Sequence, residues 1–502
     1  MKTSLLLSGA MLIALSVPAF AQNAPPTDVP QAYPESSGLD VPIDDKPAEA
    51  AAPAASTGNP VLDRLNALES RIKQLETRNA ELEAAAAETQ TRVQKVEVRA
   101  ATSVQSGPAP TFSDVAGKFT FHPRGTFQID YGGYNSRAGG YDYSNGTDIR
   151  RARFGFDGTA FTKFKYRIEA EFVKGSVNLL DAYLTYAINP KWSVTVGQQK
   201  APYGLEANST DALNSFLERG MANNAFGAIG AERRVGVQLN YASDHVYAGL
   251  GAFGSGETVG RSTAATGATP DEGYGANARI VWEPIVDTDK LVHLGVSAFR
   301  ATNFDGNTVV LRDRPNTRVD GGYIESVSIS GTNPATGPST GAKNATFVGA
   351  EAAFVKGPFS VQGEYSHLSV DRFGVDPTVN FDGFYVFGSW FLTGESRTFK
   401  GGVVDRLKPF NDFNPSAGHW GAIELLARYD QLDLTDHDLS SLKKKATSWT
   451  GGASWYLNPN TKLLLNYIRF KGTNSPLVVA PPSLNGTTAK GEALQTRLQF
   501  DF

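Results

Sequence analysis

The chain has 502 residues, of which 41% are hydrophobic, 11% aromatic and 20% charged, with a formal net charge of −4. That balance excludes a disordered chain and a nucleic-acid binder with an overall basic surface, so any basic function is local. It contains no cysteine, which excludes disulfides, thiolate metal sites and a thiol nucleophile, and suits export through an oxidising compartment.

The N-terminal stretch "MKTSLLLSGAMLIALSVPAFAQ" has Lys2, an apolar run from Leu5 to Val17 and the small-x-small site Ala19-Phe20-Ala21. It reads as a signal peptide over residues 1–21, the alternative being a short membrane anchor; the run falls short of the ~20 residues that span a bilayer. Residues 22–60 are rich in Pro, Ala and acidic residues and are expected to form a flexible, semi-extended linker.

Residues 61–100 change character. Val61, Leu68, Leu75, Leu82, Thr89 and Val96 recur every seven residues, as do Leu65, Ile72, Asn79, Ala86 and Val93. These fit the d and a positions of a coiled-coil helix, with Asn79 as a polar register mark at an a position. A lone amphipathic helix is the alternative.

From residue 111 to 502 the pattern is all-β. Short alternating runs such as "FKYRIEAEF", "WSVTVGQQK", "RVGVQLNYA", "TFVGAEAAF", "GAIELLARYD" and "KLLLNYIRF" are separated by turn formers such as Asn189-Pro190 and Asn458-Pro459-Asn460, and by longer polar stretches such as 303–345. At roughly 24 residues per strand and connection, this length predicts ~16 strands of a transmembrane antiparallel β-barrel, apolar outside and polar inside. Tyr186, Trp192, Trp390, Trp449, Trp455 and Tyr456 are expected to belong to interfacial aromatic girdles. In the last segment, "ALQTRLQFDF", Leu494, Thr496, Leu498, Phe500 and Phe502 face one way and Gln495, Arg497, Gln499 and Asp501 the other. A large exported sandwich or propeller is the soluble alternative.

No catalytic, cofactor or metal constellation stands out. The six histidines are dispersed without ligand spacing; the letters GPSTG at 337–341 match GxSxG but sit in a polar stretch without the strand-to-helix context of a nucleophile elbow, and no phosphate-binding Gly-rich loop is present. What remains is charge lining a pore. In "TDIRRARFGFDGTAFTKFKYRIEAEF" the outward set Ala152, Phe154 and Phe156 turns Arg151 and Arg153 to the lumen, with Arg150 beside a strand end or bulge and Lys165 and Arg167 on the hairpin partner. Arg124 and Lys200 come from other strands, and "LRDRPNTRVDGG" adds Arg312, Arg314 and Arg318 from a long loop. Singly each is as readily a solvated charge paired with a carboxylate. Gathered in a narrow tube they concentrate anions, and guanidinium forks suit phosphate oxygens.

The stretches "RRARFGFDGTAFTKFKYRIEAEF", "DAYLTY", "VGQQKAPYGLEANSTDALNSFLERG", "SWFLTGESRTFK", "GAIELLARYD" and "GGASWYLNPNTKLLLNY", in this order, resemble the phosphate-selective porin O/P family of Gram-negative outer membranes. The resemblance implies a 16-stranded homotrimeric barrel, a third long loop folded into the channel, and passive uptake of anions such as phosphate or polyphosphate past a basic constriction. It places Arg150 and Arg151 at the paired arginines near the constriction, Arg124 on the preceding strand, and Ser209 and Thr210 at hydroxyl positions of the loop. Ala207 stands where phosphate-binding members resemble "GLEK". The partners implied are outer-membrane lipid, small anions and, for a periplasmic coiled coil, peptidoglycan. A differently selective porin for sugars or organic solutes, a wall-tethering envelope protein and a barrel-embedded lipid or ester hydrolase are the competing readings.

Overall fold

A computed structural model describes residues 58–103, 109–114, 116–254, 273–302, 304, 307–330, 341–478 and 488–502. The expected signal peptide and nearly all of the expected linker, residues 1–57, lie outside the described residues. The chain divides into two units, 1–88 and 89–502.

The heptad segment is helical: α1 spans Pro60–Ser103, about 66 Å at 1.5 Å per residue. The Asn59 side chain accepts the Val61 N–H at 3.1 Å and so supplies one of the partners that the first turn lacks. Val61, Leu65, Leu68, Ile72, Leu75 and Leu82 are all exposed along it.

The second unit is built on sixteen long strands: β1 (Thr120–Ala138), β2 (Gly146–Ala160), β3 (Phe164–Val173), β4 (Ser176–Ala187), β5 (Trp192–Lys200), β6 (Arg233–Ala242), β7 (Val246–Phe253), β8 (Gly275–Val286), β9 (Lys290–Thr302), β10 (Ala342–Lys356), β11 (Phe359–Arg372), β12 (Val379–Phe391), β13 (Ala422–Asp433), β14 (Lys445–Asn458), β15 (Thr461–Thr473) and β16 (Thr488–Asp501). Each pairs antiparallel with its chain neighbours, and β1 also pairs with β16, Phe127 opposite Phe500. The sheet therefore closes and leaves no edge. At the seam Gly125 and Phe502 exchange two backbone hydrogen bonds of 3.0 Å.

Period two decides which side chain goes where. On β16 Leu494, Leu498 and Phe500 are exposed while Gln495, Arg497, Gln499 and Asp501 are buried. On β3 Ile168 and Phe172 are exposed and Glu169 is buried. An apolar exterior around a buried polar interior is the reverse of a soluble core, and it is the arrangement hydrocarbon requires. Tyr186, Trp192, Trp390 and Trp449 lie on the exposed face as expected. Tyr456 does not: it points inward, packs with Phe391, Leu407 and Ala422, and donates its hydroxyl to Glu424 at 2.9 Å. Its place one residue after the half-exposed Trp455 puts it on the opposite face.

At one end the strands meet in short turns, apart from the long connection 392–421. At the other end most connections are longer, the tight Lys174-Gly175 hairpin being an exception, with both residues at positive φ (58° and 72°). Segment 201–232 and the connection between β9 and β10, both at this end, fold inward. Segment 201–232 carries the short helix α2 (Leu205–Asn208) and α3 (Met221–Gly230). The connection between β9 and β10 is not only polar, as its composition suggested. It contains a hairpin, Val309–Asp313 paired with Glu325–Ile329, whose Val309, Leu311, Val327 and Ile329 join Met221, Ala225 and Phe226 of α3 against Phe299, Phe347 and Phe381 of the barrel wall. One side of the lumen is thus filled by a packed apolar core. From the short-turn end, segment 392–421 also enters: Val404 packs on Leu205 and Ala353, and the Gly402 carbonyl accepts Arg279 Nη2 at 2.7 Å.

Candidate functional site

The other side of the lumen, walled by β1 to β6, stays open and charged. Segment 201–232 is fixed across it by acceptors on the far wall. Glu364 on β11 accepts the Leu205 and Glu206 N–H groups at 3.0 and 2.8 Å. Asp430 on β13 accepts the Met221 N–H at 3.0 Å, at the N-terminus of α3 where a carboxylate is favoured. Gly204 turns with φ of 55°, and a Cβ there would stand 2.6 Å from Glu364 Oε2. Glycine is therefore demanded both by conformation and by the close approach.

So anchored, the segment presents Asp211 and Glu218 to the arginine wall. Asp211 accepts hydrogen bonds from Arg153 Nη1 at 2.7 Å and Arg219 Nη2 at 2.5 Å, and Arg151 Nε stands 3.4 Å away as an ion pair without a hydrogen bond. Glu218 receives Arg150 Nε at 2.7 Å, Arg497 Nη2 at 3.0 Å and Arg318 Nε at 3.3 Å. Three guanidinium groups converge on each carboxylate. Burial would push both acids up, but for Asp211 the Arg151, Arg219 and Arg153 charges, and for Glu218 the Arg150 pair with Arg318 and Arg497, hold them well below the usual carboxylate range.

Adjacent arginines can both point inward because the strand bulges. Gln128 pairs with Arg151 and Ile129 with Ile149, leaving Arg150 as the extra residue. Arg151 Nη1 also donates to Gln128 Oε1 at 2.7 Å.

Two cavities of about 250 and 280 Å³ run along this wall. Arg153, Lys200, Asp211 and Arg233 line both, so the two form successive chambers of one passage, joined where three cations face one carboxylate. Among the described residues, the chamber nearer the long connections is lined by seven basic and four acidic side chains, and the one nearer the short turns by five and three.

The residues singled out from sequence divide accordingly. Arg150, Arg151 and Arg318 line the first chamber, Arg124, Arg167 and Thr210 the second, and Arg153 and Lys200 both. Four lie elsewhere. Lys165 shares the inward face of β3 with Arg167 but lies closer to the short-turn end and lines neither chamber. Ser209 is fully buried, donating to the Leu205 carbonyl at 2.8 Å and accepting the Val404 N–H at 3.2 Å. It ties the two inward segments together and does not face the passage. Arg312 and Arg314 stand over the Tyr323 ring at 4.3 and 4.6 Å from its centroid, away from both chambers, because the hairpin directs them to its own aromatic residue.

Arg219 and Arg233 line the passage unforeseen, as do their partners: Asp181 accepts Arg233 Nε at 2.7 Å. The alternation of "RRVGVQLNYA" could have placed one of Arg233 and Arg234 inward; nothing local marks Arg219. Lys200 donates to the Ala207 and Ser209 carbonyls at 2.9 and 2.8 Å, which sets an ammonium beside position 207, where lysine is absent.

A closed 16-stranded barrel with an apolar exterior and a charged passage past an inward loop is a porin of a Gram-negative outer membrane. The family described as phosphate-selective porin O and P matches residues 121–502, and the chain belongs to it. An uncharacterized protein of Caulobacter vibrioides is 29% identical over 386 residues, covering 73% of this chain and 71% of that protein. Porin O of Pseudomonas aeruginosa is 26% identical over 427 residues, covering 77% and 89%. Among solved structures, the anion-selective porin from Comamonas acidovorans aligns at 13% identity with a TM-score of 0.49, covering 76% of this chain and all of that one.

Proposed function

We propose that the chain conducts small anions, phosphate or polyphosphate among them, by passive diffusion across the outer membrane. The observation that carries this reading is the junction of the two chambers, where Arg153, Lys200 and Arg233 outnumber Asp211. In a narrow, low-dielectric passage an excess of fixed cations lowers the energy of an anion and excludes cations. Membership of a family described as phosphate-selective supports phosphate as the solute. Chain contacts hold the guanidinium groups in place before an anion arrives, so little side-chain ordering opposes its entry.

Reversal potentials across planar bilayers, with chloride titrated against phosphate, test the reading on the wild type and on Arg150→Ala/Arg151→Ala. Anion preference that weakens in the variant is expected; cation preference in the wild type overturns it. The density of carboxylates favours one second reading, a weakly selective porin for sugars or organic solutes. In that case phosphate would not compete with chloride and the double variant would keep its selectivity.

The N-terminal segment is read as periplasmic and the assembly as a homotrimer, with α1 long enough to aid assembly or to reach toward peptidoglycan. Deletion of residues 22–105 checks this: loss of the trimer in mild detergent is expected, and an unchanged trimer removes the assembly role.

A further inference from the structure

Helix α1 leaves its apolar seam without a partner. Leu75 and Leu82 are each 59% exposed, and the seam runs through Leu65, Leu68 and Ile72 on the same face. A helix that is greasy along one stripe and solvated there is incomplete until the stripe is covered. The seam alone is open to any apolar occupant, but the residues flanking it are not neutral.

With Leu65 and Ile72 at a and Leu68 and Leu75 at d, the e positions are Glu69, Glu76 and Glu83, and the g positions are Arg64, Arg71 and Arg78. All six are exposed. One edge of the seam is wholly acidic over three heptads and the other wholly basic. In a parallel coiled coil each g residue faces the e residue of the next heptad on its neighbour. Arg64 then meets the partner subunit's Glu69, Arg71 the partner subunit's Glu76, and Arg78 the partner subunit's Glu83. An antiparallel pair sets g against g and e against e, which brings arginine to arginine and glutamate to glutamate. Asn79 adds a register condition: at an a position its amide is satisfied in the seam only by the same residue of a copy in register.

We propose that α1 docks on other copies of this chain as a parallel, in-register coiled coil whose direction is set by an arginine edge meeting a glutamate edge. The occupant of the seam is thus a second copy of the same helix, and the ionic edges reject the reversed arrangement. Parallel packing also agrees with the cyclic symmetry of a trimer, which relates copies without reversing them. The proposal rests on the self-association part of the reading above and is independent of which solute the barrel conducts.

The absence of native cysteine makes the test direct on the full-length protein in outer membranes. Leu68→Cys, in the seam, is expected to give disulfide-linked dimers on mild oxidation, at least tenfold more than Ser70→Cys on the opposite face. In the Leu68→Cys background, Glu69→Arg/Glu76→Arg/Glu83→Arg should reduce that yield about tenfold. Adding Arg64→Glu/Arg71→Glu/Arg78→Glu should restore it, because the two edges are then exchanged and complementary again. Equal yields at the two cysteine sites, or a sixfold charge exchange that fails to restore the cross-link, overturn the proposal. Conductance recorded from the same membranes reports on the barrel separately.

Discussion

Arg150 and Glu218 form a two-pronged ion pair across the lumen, with Arg150 Nε 2.7 Å from Oε1 and Nη2 3.1 Å from Oε2 of the carboxylate. One partner lies on the barrel wall, the other on a segment that enters from the long-connection end. The pair both positions the loop and removes positive charge from the passage, and these effects oppose each other in any variant.

Glu218→Gln releases Arg150, Arg318 and Arg497 from a shared counter-charge. Anion selectivity is expected to rise, seen as a larger reversal potential, while the loop loses charge-assisted hydrogen bonds of roughly 1.5–3 kcal/mol each. The variant should therefore conduct anions more selectively but melt earlier. A selectivity unchanged from wild type would show that these guanidinium groups do not face the ion.

Ala207→Lys places a second ammonium beside that of Lys200, which already reaches the Ala207 carbonyl. An added charge a few ångströms from the path is worth on the order of 1 kcal/mol in a partly solvated site, about fivefold in affinity. Inhibition of chloride current by phosphate should shift to lower phosphate by that factor. No shift would mean that position 207 does not contribute to the binding field.

Acid dependence follows from two groups of opposite sense. Asp211 and Glu218 have lowered folded-state values, so their contribution to stability is present above about pH 4 and disappears as pH falls through the lower folded values. Asp313 is the reverse: burial pushes its carboxyl up to about 6, with Arg318 and Asn224 opposing. Its raised value contributes stability below about pH 4 that is lost as pH rises through about 6. Because Asp313 partners Arg318 at 3.1 Å, its protonation removes one of that guanidinium's two counter-charges and leaves only Glu218. Anion preference should increase as pH falls from 7 to 5, and Asp313→Asn should remove the step. A step that survives in Asp313→Asn assigns it to another group.

Phe226 of α3 is fully buried in the apolar filling of the lumen. Phe226→Ala is expected to cost ~3–5 kcal/mol locally without opening the barrel, whose strands are joined by their own ladder. Single-channel conductance should grow and become noisy, with strand content by circular dichroism unchanged. Unaltered, quiet conductance would show that the filling does not limit the pore.

Much of the barrel was legible in the sequence because strand alternation is local. Leu494 to Asp501 declares its lipid face and its lumen face within eight residues, and the burial of Gln495, Arg497 and Gln499 follows. The heptads of α1 are legible for the same reason. The inward direction of Arg151, Arg153 and Arg167 could be read from their apolar neighbours. Tyr456 misled, since proximity to Trp455 says nothing about face when successive residues alternate. The apolar content of the 309–329 hairpin was hidden by the polar residues around it.

What the sequence determined by itself is the set of periods, two for the wall and seven for the helix, since each arises from backbone geometry within a few residues. Only the tertiary structure decided which acid meets which arginine. Arg150 and Glu218 are 68 residues apart, and Arg497 and Asp130 are 367 apart. Their meeting depends on ring closure and on the path of segment 201–232 across the lumen, both of which are set by long-range pairing that no local pattern encodes.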